Sequence, residues 1–116
     1  MVEKVTFEVL IREAKTYLHE EKNIQLIEKA YAIAEKMHEG QFRKSGDPYV
    51  QHPLEVAYLL VSLHAGPQTI AAGLLHDVLE DTYMSREEMI AAVGDFCYTI
   101  NYICNIFSNC CYHFFS

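Results

Sequence analysis

The sequence predicts an all-α fold. Apolar residues recur at helical spacing through most of the chain, and no segment alternates with period two for long. With 5 Gly and 3 Pro in 116 residues, turn formers are too few for a many-stranded β protein. An apolar fraction of 51% against 22% charged residues permits a packed core, and the length suits one domain.

The first helix is expected over residues 5–20, with Thr6 as N-cap and Phe7, Leu10, Ile11, Ala14, Tyr17 and Leu18 at helical spacing. The second runs from a cap at Asn23 to His38. Its apolar face is Ile24, Ile27, Ala30, Tyr31, Ala34 and Met37, and Gly40 would end it in the left-handed conformation. Residues 40–52, GQFRKSGDPYVQH, break the pattern, with turn chemistry at Gly46, Asp47 and Pro48. Pro53 suits the first turn of a third helix that reaches about His64, closed by Gly66 and Pro67. A fourth helix is expected from Gln68 to Asp81. Ser85 and Glu88 form a capping box that opens a fifth, which Gly94 ends.

Composition excludes several function classes. With 9 Lys+Arg against 16 Asp+Glu, the net charge of -7 argues against a general nucleic-acid binder, and no DNA partner is expected. The start, MVEKVTFEVL, lacks the apolar core of a signal peptide, and residues 1–94 hold no apolar run long enough to span a bilayer. A cytoplasmic protein with no membrane partner is the expectation. The four cysteines (97, 104, 110 and 111) crowd into the last twenty residues, which is not how a disulfide framework is laid out.

Composition changes after Gly94. The segment DFCYTINYICNIFSNCCYHFFS carries one charge, Asp95, and is otherwise dominated by Phe, Tyr, Ile, Cys, Asn and Ser. It reads as a buried helix, a membrane-seeking segment, a sticky strand, or a frameshifted or truncated end, since A/T-rich codons in the wrong frame supply these residue types. Composition alone favours the last slightly. An apolar tail of this kind would also support self-association.

The strongest chemical signal is IAAGLLHDVLEDT. Ala71 to Leu79 is apolar except for His76 and Asp77, so this helix belongs in the core, where an imidazole and a carboxylate must be paired, protonated or metal-bound. Glu80 lies four residues after His76 and three after Asp77, and Asp81 four after Asp77. On a helix these side chains occupy neighbouring rows of one face, with no Lys or Arg to neutralise them. A divalent cation is the simplest solution. The alternative is a solvated acidic end with a buried His76–Asp77 hydrogen bond, and acids at a helix C-terminus need something to offset the macrodipole. His52, before Pro53, is a candidate third ligand; two imidazoles with carboxylates suit Mn, Zn or Fe. Arg43, Lys44 and Ser45, followed by Gly46, can hold a phosphate or stack on a base, with Tyr49 as an aromatic wall. His19, His38, His64 and His113 are expected to be structural or exposed.

In combination these residues are familiar. AYAIAEKMHEGQFRKSGDPYVQHPLEVAYLL followed by TIAAGLLHDVLEDT closely resembles the hydrolase domain of RelA/SpoT-type alarmone enzymes, a branch of the HD metal-dependent phosphohydrolase superfamily. The likeness spans roughly residues 5–94. It implies an HD-domain-like helical bundle, truncated here: an N-terminal part of the hydrolase domain over 1–94 and an atypical tail over 95–116. It further implies His52, His76 and Asp77 as ligands of a manganese ion, Glu80 and Asp81 as the catalytic pair that positions and activates water, and Arg43, Lys44, Ser45 and Tyr49 as contacts to the guanine nucleotide. The implied reaction removes the 3′-diphosphate of (p)ppGpp. The family completes its metal site with an Asp from a later helix, for which this chain has no match. The resemblance therefore leaves three readings: an active hydrolase domain, a catalytically incomplete fragment that binds nucleotide or metal without turnover, and an interaction module.

Overall fold

The computed structural model describes residues 4–78, 82 and 84–95. Five helices make up the regular structure of these residues: α1 (Phe7–Ala14), α2 (Glu21–Met37), α3 (Gln51–Ser62), α4 (Pro67–Leu74) and α5 (Arg86–Val93). No strand occurs among the described residues; one isolated antiparallel bridge joins Phe42 and Pro48. The all-α expectation holds.

Local chemistry sets most of the helix starts. Thr6 takes an extended backbone, and its Oγ1 accepts from the Val9 N–H at 3.2 Å, so α1 opens on the expected cap. At α5 both halves of the capping box are made: Glu88 N donates to Ser85 Oγ at 3.1 Å, and Ser85 N donates to Glu88 Oε1 at 3.4 Å. Helix α4 starts at Pro67, where a missing N–H costs nothing and φ is already helical. The cap expected at Asn23 is not used. The cap lies three residues earlier, at Glu20, which makes no side-chain cap bond.

Helix α4 is the centre of the domain. Ile70, Ala71, Ala72, Gly73 and Leu74 are all buried, as expected of a helix apolar on every side, and it packs against both α2 and α3. The α2 face that meets the core is a single stripe of Ile24, Ile27, Ala30 and Ala34, whose two alanines allow close approach of the helix axes. Leu54, Ala57 and Val61 supply the α3 face. Contact with α3 is close at Gly73, where an added Cβ would sit 2.7 Å from Leu60 Cδ1. Leu10 of α1 and Met89 of α5 complete the core. Each fully buried Leu or Ile here contributes about 1.5–3 kcal/mol by leaving water. On the outer side of α3, Leu59 and Leu63 are 60% and 71% exposed.

Two connections depart from the expected boundaries. Helix α1 stops at Ala14; Tyr17 lies in the following turn, stacks on His64 at 4.3 Å and donates through its hydroxyl to the Ala65 carbonyl at 2.7 Å. That contact fixes the turn between α3 and α4, where His64 takes a left-handed φ of 57° and closes α3 at Ser62. More consequentially, α4 does not run to Asp81. It ends at Leu74, and residues 75–77 form a turn.

The loop from α2 to α3 is a compact hairpin. Tyr49 N donates to Gln41 O at 2.9 Å and Arg43 N to Asp47 O at 2.9 Å, while Gly46 N closes the tip onto Arg43 O at 2.8 Å with φ of 92°, a value that favours glycine. The N-terminal segment braces it. Lys4 Nζ pairs with Asp47 Oδ1 at 3.1 Å, and Gln51 Nε2 donates to Val5 O at 3.0 Å. The apolar tail of the sequence reading lies outside the described residues, apart from Asp95.

Candidate metal centre

His52, His76 and Asp77 come together, each offering a ligand atom within 4.8 Å of the others. His52 sits in the first turn of α3, and His76 and Asp77 follow the end of α4. Packing of α3 on α4 therefore joins two segments that are twenty-four residues apart in sequence. The imidazoles of His52 and His76 meet edge to face, with centroids 5.2 Å apart.

The early end of α4 is what lets His76 and Asp77 share a site. Consecutive residues on an α-helix point about 100° apart, whereas these two fall in the turn after α4; the row-by-row convergence expected of Glu80 and Asp81 with them lies outside the described residues. In the turn their side chains face each other, with His76 Nε2 3.1 Å from Asp77 Oδ2. The other ring nitrogen, Nδ1, lies 2.6 Å from the Gly73 carbonyl oxygen. A carbonyl only accepts, so Nδ1 carries a proton. In a neutral His76 the Nε2 lone pair would then point at a carboxylate oxygen, which is repulsive. Either the ring is doubly protonated or a cation lies between the two groups. The pattern of one nitrogen held by a backbone carbonyl and the other turned toward a carboxylate is that of an oriented metal-binding histidine. The donor set of two imidazole nitrogens and one carboxylate oxygen fits a divalent first-row metal.

The electrostatics agree. Burial pushes the Asp77 carboxyl up, but the hydrogen bond from His76 and the charges of His76, His52 and His38 outweigh it and hold the group below its ordinary value. Burial lowers the affinity of His52 for a proton, and the charge of His76 adds to that. Metal ligation needs these forms of Asp77 and His52, an ionised carboxylate and a neutral imidazole; at His76 the metal would take the place of the Nε2 proton.

Beside the cluster is a pocket of about 580 Å³ lined by Phe42, Arg43, Lys44, Ser45 and Tyr49. Its walls include all four residues expected at a nucleotide site, together with Phe42, which is 66% exposed and which the sequence reading passed over. The charge of Arg43 acts on His52, so pocket and cluster are electrostatic neighbours. Glu80 and Asp81, the expected catalytic pair, lie outside the described residues.

His38 was also missed as a functional neighbour. It is buried, its Nδ1 lies 3.2 Å from Gln41 Oε1, and its ring packs against Tyr49 with centroids 4.7 Å apart. Its place at the C-cap of α2, as the first residue of the HEGQ turn, was the available signal.

A family model described as HD domain matches residues 30–100, more than half of the chain. The chain belongs to the HD domain family. Its relatives include the guanosine-3′,5′-bis(diphosphate) 3′-pyrophosphohydrolase of Spiroplasma citri, 43% identical over 90 residues that make up 78% of this chain and 12% of that protein. The bifunctional (p)ppGpp synthase/hydrolase SpoT of Escherichia coli is 43% identical over 88 residues, 76% of this chain and 12% of that one. A GTP pyrophosphokinase of Streptomyces coelicolor is 49% identical over 76 residues, 66% of this chain and 9% of that one. This HD domain chain thus spans about a tenth of the length of the curated relatives it matches. An HD domain implies a divalent metal, and His52, His76 and Asp77 are the described residues that could hold it. Among the described residues no helix is long and apolar enough to cross a membrane.

Proposed function

We propose that this HD domain is the metal-dependent site of a (p)ppGpp 3′-diphosphohydrolase, with manganese as its ion. The observation that carries the reading is the juxtaposition of the His52–His76–Asp77 cluster with the Arg43–Lys44–Ser45 pocket. One part suits a cation and the other a phosphorylated nucleotide. The names of the relatives supply the substrate.

In the proposed reaction a water oxygen bonds to the phosphorus attached to the ribose 3′ oxygen, and the bond from that phosphorus to the 3′ oxygen breaks. The ribose keeps its oxygen, which takes up a proton, and diphosphate leaves with GDP or GTP as the other product. Arg43 and Lys44 neutralise phosphate charge, the guanidinium through paired N–H donors and the ammonium as a point charge. Ser45 offers a hydroxyl whose one proton goes to Asp47 Oδ2 at 3.1 Å here and would turn to a nucleotide oxygen on binding. Tyr49 and Phe42 provide aromatic faces for the base. His52, His76 and Asp77 would hold the metal, which when bound supplies Lewis-acid polarisation of the phosphoryl group and lowers the pKa of water. Glu80 and Asp81 take the role of orienting that water and accepting its proton.

Purified chain with Mn²⁺ and ppGpp, read by anion-exchange chromatography, tests the proposal. Release of GDP and diphosphate by wild type, lost in His76→Ala and in Glu80→Ala, is the expected result. Tight ppGpp and Mn²⁺ binding without any turnover would replace it with a non-catalytic binding domain.

A further inference from the structure

His38 has features that a core-filling residue would not need. It is 3% exposed, yet it is an imidazole, and its Nε2 has no hydrogen-bonding partner among the described residues. Burying a polar atom in that state carries a cost that a Leu or Phe of similar size would avoid. The ring's two formed contacts both go to one structure. Nδ1 donates to Gln41 Oε1 at 3.2 Å, and the ring face packs against Tyr49. Gln41 and Tyr49 are the two residues at the base of the pocket hairpin, joined there by the bond from Tyr49 N to Gln41 O at 2.9 Å. The His38 carbonyl also accepts from Gln41 N at 3.0 Å. His38 thus touches both legs of the hairpin from below, while Arg43, Lys44 and Ser45 occupy its tip. The helix that carries His38 is anchored in the core through Ile27, Ala30 and Ala34. Any tilt of the hairpin relative to the cluster would have to break the contacts with His38.

We propose that His38 is a positioning residue for the nucleotide pocket, holding Gln41 and Tyr49 so that Arg43, Lys44 and Ser45 are presented beside the His52–His76–Asp77 cluster. This rests on the functional reading above in assigning the pocket to a guanine nucleotide. The hold on the hairpin itself does not depend on that assignment. His38 is not one of the metal ligands, so its loss weakens nucleotide binding more than metal binding.

The test uses His38→Ala, His38→Asn and His38→Phe in the full chain. Asn keeps a donor near the Nδ1 position, and Phe keeps the ring volume in case Ala unfolds the domain. Amide hydrogen exchange followed by NMR reads the Tyr49 and Arg43 amides. Calorimetry reads Mn²⁺ alone and ppGpp in the presence of Mn²⁺. In His38→Ala, exchange of the two hairpin amides is expected to speed up about tenfold, with α2 and α4 amides unchanged, and ppGpp affinity to fall about tenfold while Mn²⁺ affinity is retained. His38→Phe should bind ppGpp more weakly than wild type despite normal thermal stability, and His38→Asn should recover part of the loss. Unchanged hairpin exchange in His38→Ala, or equal losses of Mn²⁺ and ppGpp binding across the variants, would overturn the proposal. A wild type that binds Mn²⁺ but no ppGpp sinks the functional reading instead, and hairpin exchange then still decides whether His38 holds the loop.

Discussion

The Gly73 carbonyl oxygen accepts the Nδ1 proton of His76 at 2.6 Å, and this one contact both finishes α4 and aims the ring. The last carbonyls of a helix have no partner within it. A side chain three residues on takes the Gly73 carbonyl, competes with continued helix, and leaves Nε2 turned to Asp77 Oδ2 at 3.1 Å. Metal binding should therefore stabilise the fold. With Mn²⁺ at a hundred times its Kd, the unfolding free energy is expected to rise by about 2.7 kcal/mol. Asp77→Ala and His76→Ala should abolish the rise in denaturant melts, and elemental analysis should show one metal per wild-type chain and none in Asp77→Ala.

Tyr31 gives a pH dependence away from this site. Burial, then a 3.0 Å hydrogen bond to Glu35 and the charges of Glu35 and Glu8, push its hydroxyl up from an ordinary 10.0 to about 12. The folded protein holds a proton that the unfolded chain releases, so this contribution to stability is complete below pH 10 and is lost as pH rises through about 12. Spectrophotometric titration of the native protein should show a tyrosine ionising near pH 12 that disappears in Tyr31→Phe. The same variant should flatten the alkaline fall in melting temperature.

Ile27 is fully buried in the α2 stripe that meets α4. Ile27→Ala should cost about 2–5 kcal/mol in urea denaturation, from lost transfer energy plus the cavity left in a close-packed core. Because His38 caps α2, the pocket should loosen before the whole domain melts, and ppGpp affinity in this variant should decline at temperatures where helix content by circular dichroism is still intact.

Ser85→Ala removes the acceptor for Glu88 N and should cost about 1 kcal/mol. Helix α5 contacts α2 and buries Met89, so the loss should appear as global destabilisation in thermal unfolding, with metal affinity unchanged. Ser85→Asp, another good cap at the positive end of the helix dipole, should retain most of the stability.

By itself the amino-acid order determined the helical class, the caps at Thr6 and Ser85, the central place of an all-apolar α4, the turn at Gly46 and the residue types suited to a cation and a phosphate. These features follow from interactions over a few residues, namely side-chain period, capping bonds and backbone preference. Tertiary structure decided the rest. The end of α4 at Leu74 was not legible because no Gly or Pro follows it; a histidine side chain closes the helix, with the Thr82 hydroxyl donating to Val78 O beyond it. The meeting of His52 with His76, and the place of His38 beneath Tyr49, depend on how α2 and α3 pack around α4. Contacts between residues far apart in sequence are set by the sum of many core interactions, which no local pattern encodes.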